Sequence, residues 1–141
     1  MIVSHMHVKA PGYPRHVKDD ELVNDFMSGY AVADMLASAL GERDFRDISF
    51  IAEDWGWLIV AKPNTSDFEF SVALSSLAEP TDDKEAMVEL MIAIQPQKLT
   101  KGVLWWKKDI SKEIELFSRA VFGSLNSDDG IEVIEEFSEI A

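Results

Sequence analysis

Two spacings of apolar residues run through the chain and predict its elements. A period of two, which sends successive side chains to opposite faces of a strand, marks five stretches. In Met1 to Lys9, Ile2, Ser4, Met6 and Val8 share one face, and Val3, His5, His7 and Lys9 the other. Phe45 to Ala61 reads as one long or kinked strand. Ile48, Phe50 and Ala52 alternate there with Asp47, Ser49 and Ile51, and then Trp55, Trp57, Ile59 and Ala61 alternate with Gly56, Leu58 and Val60. The run Glu53-Asp54-Trp55-Gly56 falls between the halves, where a turn or bulge changes a strand's pairing. Phe68, Phe70, Val72 and Leu74 alternate with Glu69, Ser71, Ala73 and Ser75, and Ala86 to Gln95 carries Val88, Leu90, Ile92 and Ile94 on one face before Pro96 ends it. A last strand is expected from Ile131 to Ile140 with Ile131, Val133 and Phe137 inward, a short helix being the alternative.

Three- and four-residue spacing marks two helices. Asp19 or Asp20 is placed to cap the first, whose stripe is Leu22, Phe26, Gly29, Ala33, Leu36 and Leu40, widened by Val23, Met27, Tyr30 and Ala37. Gly41 follows where a left-handed C-cap sits. Asp109 or Ser111 is placed to cap the second, with Ile110, Ile114, Phe117, Val121 and Leu125 as its buried stripe, closed by Gly123 and the Asn-Ser-Asp-Asp-Gly run from Asn126. Pro11, Gly12 and Pro14 make the first connection a loop.

The order is therefore β-α-β-β-β-α-β. Three central strands on short turns form an antiparallel meander, and helices with one apolar stripe each lie together on one face of it. The expectation is a two-layer α+β sandwich in a single domain, residues 1–141, whose other sheet face is wet or meets a partner. The chain shows no internal repeat and no linker long enough to divide it.

Composition narrows the function. No apolar run approaches the ~20 residues that span a bilayer, which argues against a membrane partner. The start, Met-Ile-Val-Ser-His-Met-His-Val-Lys, is too short and too interrupted for a signal-peptide core, so cytoplasmic residence is expected. The absence of Cys removes disulfide frameworks and thiolate metal sites. With 26 acids against 13 bases the net charge is −13, which repels phosphate backbones, argues against nucleic acid and favours encounter with a basic protein.

Three groups of residues could carry chemistry. Glu53 and Asp54 beside Trp55 and Trp57 could act as an acid and a base, but consecutive strand residues point to opposite faces, so the pair reads as a bend in a core strand. Gly56 there lets a ring or backbone come close. His5 and His7 have the H-x-H spacing of zinc enzymes, yet only His16 or scattered carboxylates remain as a third ligand, so no metal or other cofactor is expected. Lys98, Lys101, Lys107, Lys108 and Lys112 surround Trp105 and Trp106; such a mix can stack bases and hold phosphates, which the net charge of −13 opposes, and the tryptophans otherwise suit a protein contact as interface anchors or tuck under the second helix. No nucleophile elbow or phosphate loop is present.

The stretch from Phe45 to Phe137, led by Glu53-Asp54-Trp55-Gly56-Trp57, resembles a group of small bacterial proteins in which an acidic-Trp-Gly-Trp strand precedes two more strands, a helix and a final strand. Small acidic proteins of this build are similar to immunity proteins that neutralise toxins. The resemblance is at fold level and transfers no residues. It implies a non-enzymatic immunity or antitoxin-type domain that masks a basic partner. Glu132, Glu135, Glu136 and Glu139, which read as acids without a neighbouring base, would steer the partner, and Trp105 and Trp106 would anchor it. The alternatives are a small-molecule or metal-dependent enzyme using His5, His7 and Glu53 or Asp54, and a structural homodimer joined through the open sheet face or an edge strand.

Overall fold

A computed structural model describes residues 4–21, 28–64, 69–77, 87–96 and 107–138. The elements are β1 (Ser4–Lys9), a 3-10 turn (Val17–Glu21), α1 (Tyr30–Gly41), β2 (Phe45–Glu53), β3 (Gly56–Pro63), β4 (Phe70–Ser76), β5 (Glu89–Pro96), α2 (Lys107–Asn126) and β6 (Glu132–Ser138). The strands form one six-stranded antiparallel sheet in the order β2-β3-β4-β5-β1-β6. Both helices cover one face: α1 packs over β2 and β3, and α2 over β5 and β6. The protein is a two-layer α+β sandwich, with one strand more than the sequence pattern indicated. Among the described residues no helix is long and apolar enough to cross a membrane.

The extra strand comes from the Trp-Gly-Trp segment. Phe45 to Ala61 is a hairpin rather than one strand, with Asp54 and Trp55 in its turn and Phe50 opposite Ile59. Gly56 has a φ of 150°, and a Cβ there would stand 2.0 Å from the Leu74 carbonyl oxygen, so only glycine lets β3 lie this close to β4. The close approach read from the sequence is thus made by backbone. Beyond the turn, Trp57, Ile59 and Ala61 enter the core with Phe70, Val72 and Leu74 of β4 and Leu90, Ile92 and Ile94 of β5.

The first helix is shorter than its apolar spacing suggests. It starts at Tyr30, directly after Gly29 at a φ of 128°, a left-handed conformation that no continuous helix contains. Leu22, Val23, Phe26 and Met27 lie outside the described residues. From Tyr30 the sequence is rich in Ala, Met and Leu, strong helix formers, and it buries Val32, Ala33, Leu36 and Leu40. Gly41 is the last helical residue and the cap, Glu42, is right-handed; the left-handed residue is Asp44, φ 71°, which turns the chain into β2. α2 begins at Lys107, ahead of the expected caps, and runs through Gly123. Its buried stripe is Ile114, Phe117, Val121 and Leu125, with the Phe117 ring between Phe45 and Phe70. The buried hydroxyls of Ser4 and Ser118, 3.2 Å apart, tie β1 to α2.

Candidate functional site

The partner-binding residues named from the sequence fall on β6 or outside the described residues; Trp105, Trp106 and Glu139 are among the latter. β6 is an edge strand and pairs only with β1 among the described residues. Its register shifts opposite His7 and Val8: Glu135 faces His7 while Val133 faces Val8, which leaves Ile134 as the extra residue of a bulge.

The bulge resets the alternation and corrects two expectations. Val133 packs on the core, but Phe137 points to the helix-free face, 47% exposed, with its ring stacked on His5 at 5.1 Å. Glu132 and Glu135, three residues apart, share that face, whereas Glu136 faces the helices and accepts a 3.5 Å hydrogen bond from Asn126 Nδ2. The glutamates therefore do not form one acidic row. Nor do they lack basic neighbours, since Glu132 lies opposite Lys9 and Glu135 opposite His7. What β6 presents is an open backbone edge with Glu132, Glu135 and Glu136 exposed and the apolar Ile134 (45% exposed) and Phe137 between them.

The histidine and carboxylate group is not assembled. His7 Nε2 lies 2.7 Å from Glu89 Oε2 on the neighbouring β5. Glu53 occupies the same transverse row as His7, through Gly56, Ser75 and Met91, but four strand spacings of ~4.8 Å separate them by about 19 Å. His16 sits against the Tyr30 ring, 4.8 Å between centroids, and its Nδ1 accepts a hydrogen bond from the Lys18 amide. Among the described residues no three His, Asp or Glu side chains gather as metal ligands.

Three polar features lay outside the reading of the sequence. Asp19 is fully buried: its Oδ2 accepts from the His16 amide at 3.0 Å, and its Oδ1 accepts from the Tyr30 amide at 3.0 Å and from Trp57 Nε1 at 2.7 Å. It caps α1 from eleven residues upstream, because Gly29 has no side chain to do so. Arg15, with its side chain 9% exposed, gives Nη1 to Asp20 Oδ1 at 2.9 Å, while Nε and Nη2 are buried without a hydrogen-bond partner among the described residues. The Tyr13 hydroxyl donates to Asp128 Oδ2. That bond, then burial, then the carboxylate's charge push the Tyr13 phenol from 10.0 up to about 12. The sequence signal for Asp19 was its capping position; nothing local announced its link to Trp57.

The chain has no match among protein-family models, curated proteins or solved structures.

Proposed function

We propose that the chain is a non-enzymatic protein-binding domain of immunity or antitoxin type, which masks a basic partner by accepting an extended segment along β6. The observation that carries this reading is the edge of β6, a backbone row unpaired among the described residues, flanked by Glu132, Glu135 and Glu136 and set with the apolar Ile134 and Phe137. An added strand gains main-chain hydrogen bonds from such an edge, and its alternate side chains supply specificity. A segment that places Lys or Arg opposite the glutamates and an apolar residue against Phe137 matches both features. The net charge of −13 would speed its encounter, and docking would occlude the partner's cationic site.

The test starts with a pull-down from lysate of the source cell at low and high salt, read by mass spectrometry, and continues with the retained protein in purified form. A basic protein whose binding weakens with salt, weakens at least about tenfold in a Glu132→Gln, Glu135→Gln, Glu136→Gln triple variant, and protects the amides of β6 from hydrogen exchange is the expected result. Undiminished binding to the triple variant, or protection confined to another part of the sheet, defeats docking at β6.

A further inference from the structure

At the opposite end of the sheet a groove of about 500 Å³ opens between the loop after α1, the end of β3 and the outer side of α2. Phe45, Pro63 and Leu116 are among the apolar residues of its lining. Arg43, Arg119 and Asn64 bring hydrogen-bond donors to it. Local geometry brings them together: left-handed Asp44 turns the chain, and its carbonyl accepts from the Asn64 amide at 2.8 Å. Arg43 Nη1 lies along α2, 3.9 Å from where a Cβ of Gly123 would stand.

Both guanidinium groups are available to a ligand. Arg43 is exposed, and its guanidinium makes no hydrogen bond or ion pair among the described residues. Arg119 pairs with Glu115 one turn back, but at 74% and 45% exposure that pair holds weakly, so Arg119 can turn into the groove at small cost. The chain has only four arginines in a background of −13, and two of them face this one groove.

We propose that the groove binds a small organic monoanion, with a carboxylate between Arg43 and Arg119 beside the Asn64 side-chain amide and an aromatic or acyl body against the apolar part of the lining. Guanidinium forks match the two oxygens of a carboxylate, and the volume falls within the ~300–1,000 Å³ of small-molecule sites. Asp44 and Glu113 also line the groove and repel a second negative charge, which favours a carboxylate over a phosphate monoester. This site is separate from β6 and stands whether or not the partner reading holds.

The experiment is a titration of the full ¹⁵N-labelled chain, followed by NMR, with 4-phenylbutyrate, its neutral amide 4-phenylbutanamide, and phenyl phosphate. The carboxylate is expected to shift the amides of Arg43, Asn64, Leu116 and Ala120 saturably, and the amide and the phosphate to bind at least about fivefold more weakly. Arg43→Gln and Arg119→Gln, both surface substitutions that should leave circular dichroism unchanged, should each weaken the carboxylate by a similar factor. Equal affinity for carboxylate and amide, tighter binding of phosphate, undiminished binding in both Gln variants, or no saturable shift up to about 10 mM would each overturn the proposal.

Discussion

Asp19 is the residue on which the packing of α1 against the sheet most depends. Its carboxylate is removed from water and accepts three hydrogen bonds, one from the turn before α1, one from the first residue of α1 and one from the indole of β3. Asp19→Ala leaves the amides of His16 and Tyr30 and the buried Trp57 Nε1 without an acceptor. The buried indole costs about 1–3 kcal/mol when orphaned, the two part-buried amides less because water can reach them, and relief of the carboxylate's own desolvation offsets part of the sum, so the net loss should be about 2–3 kcal/mol. That is a large share of the ~5–15 kcal/mol that ordinarily holds a domain together.

Asp19→Asn is the sharper variant. Its amide oxygen can still accept from Tyr30 and Trp57, but its NH₂ then faces the His16 amide, donor against donor, so the cost should fall to about 1–2 kcal/mol. Urea unfolding followed by circular dichroism and tryptophan fluorescence measures both, the midpoint shifting while the slope stays constant. A double-mutant cycle with Trp57→Phe, in which the indole donor is absent, should return a coupling of about 1.5–3 kcal/mol. The reasoning fails if Asp19→Ala costs less than about 0.5 kcal/mol, or if the cycle shows no coupling. If the Ala variant does not fold, the Asn variant and its cycle decide the matter.

Two further predictions concern the loop before α1. Because Asp128 holds the Tyr13 phenol up at about 12, the folded chain binds that proton more tightly than the unfolded one. This contribution is complete below pH ~10 and is lost as pH rises toward 12, with a small slope because Tyr13 is partly exposed and screened. Urea midpoints between about pH 9 and about pH 11.5 should therefore fall more for the wild type than for Tyr13→Phe, and parallel curves would contradict the assignment. Arg15 has the opposite energetic sign to Asp19, since two of its nitrogens are buried with no hydrogen-bond partner among the described residues. Arg15→Met keeps the apolar stem and should leave stability unchanged or raise it by about 1 kcal/mol; a loss above ~1.5 kcal/mol would show that the guanidinium is satisfied in solution.

What was legible in the sequence follows from which forces act locally. The inward rows Met6 and Val8, Phe70, Val72 and Leu74, and Leu90, Ile92 and Ile94 obey the period of two because each strand has one buried face. The stripe of α2 was visible for the same reason. The hairpin at Asp54 and Trp55 does leave a trace in the sequence: inward residues are even-numbered through Phe50 and odd-numbered from Trp57, and such a change of phase is what a two-residue turn produces. The start of α1 was hidden, because apolar spacing continues upstream through residues that suit a helix, while the break depends on Gly29 and on a cap supplied from Asp19. The groove was invisible, since Arg43, Asn64 and Arg119 come from three separate elements and no spacing connects them. At β6 a strict alternation placed Phe137 inward, and only the extra residue at Ile134 reverses it.

The two edges of the sheet differ in how well they would suit an incoming strand, and charge bears on whether that strand could be a second copy of this chain. β2 carries a register shift between Arg46 and Ser49 around Asp47, a residue with φ of 53°, and this kink interrupts the straight row of amides that pairing requires. β6 is bulged only at Ile134 and runs on through Phe137. Pairing β6 with its own copy meets a charge problem in some registers. An antiparallel match centred on Ile134 sets Glu132 opposite Glu136, and one centred between Glu135 and Glu136 sets those two opposite each other. Like charges directly opposite destabilise a strand pair, and two chains of −13 repel before they meet. A basic segment reverses both signs. Salt therefore separates the two occupants by direction: screening weakens a basic strand on β6 and eases self-pairing, so a complex that strengthens as salt rises would belong to the homodimer and not to a masked partner.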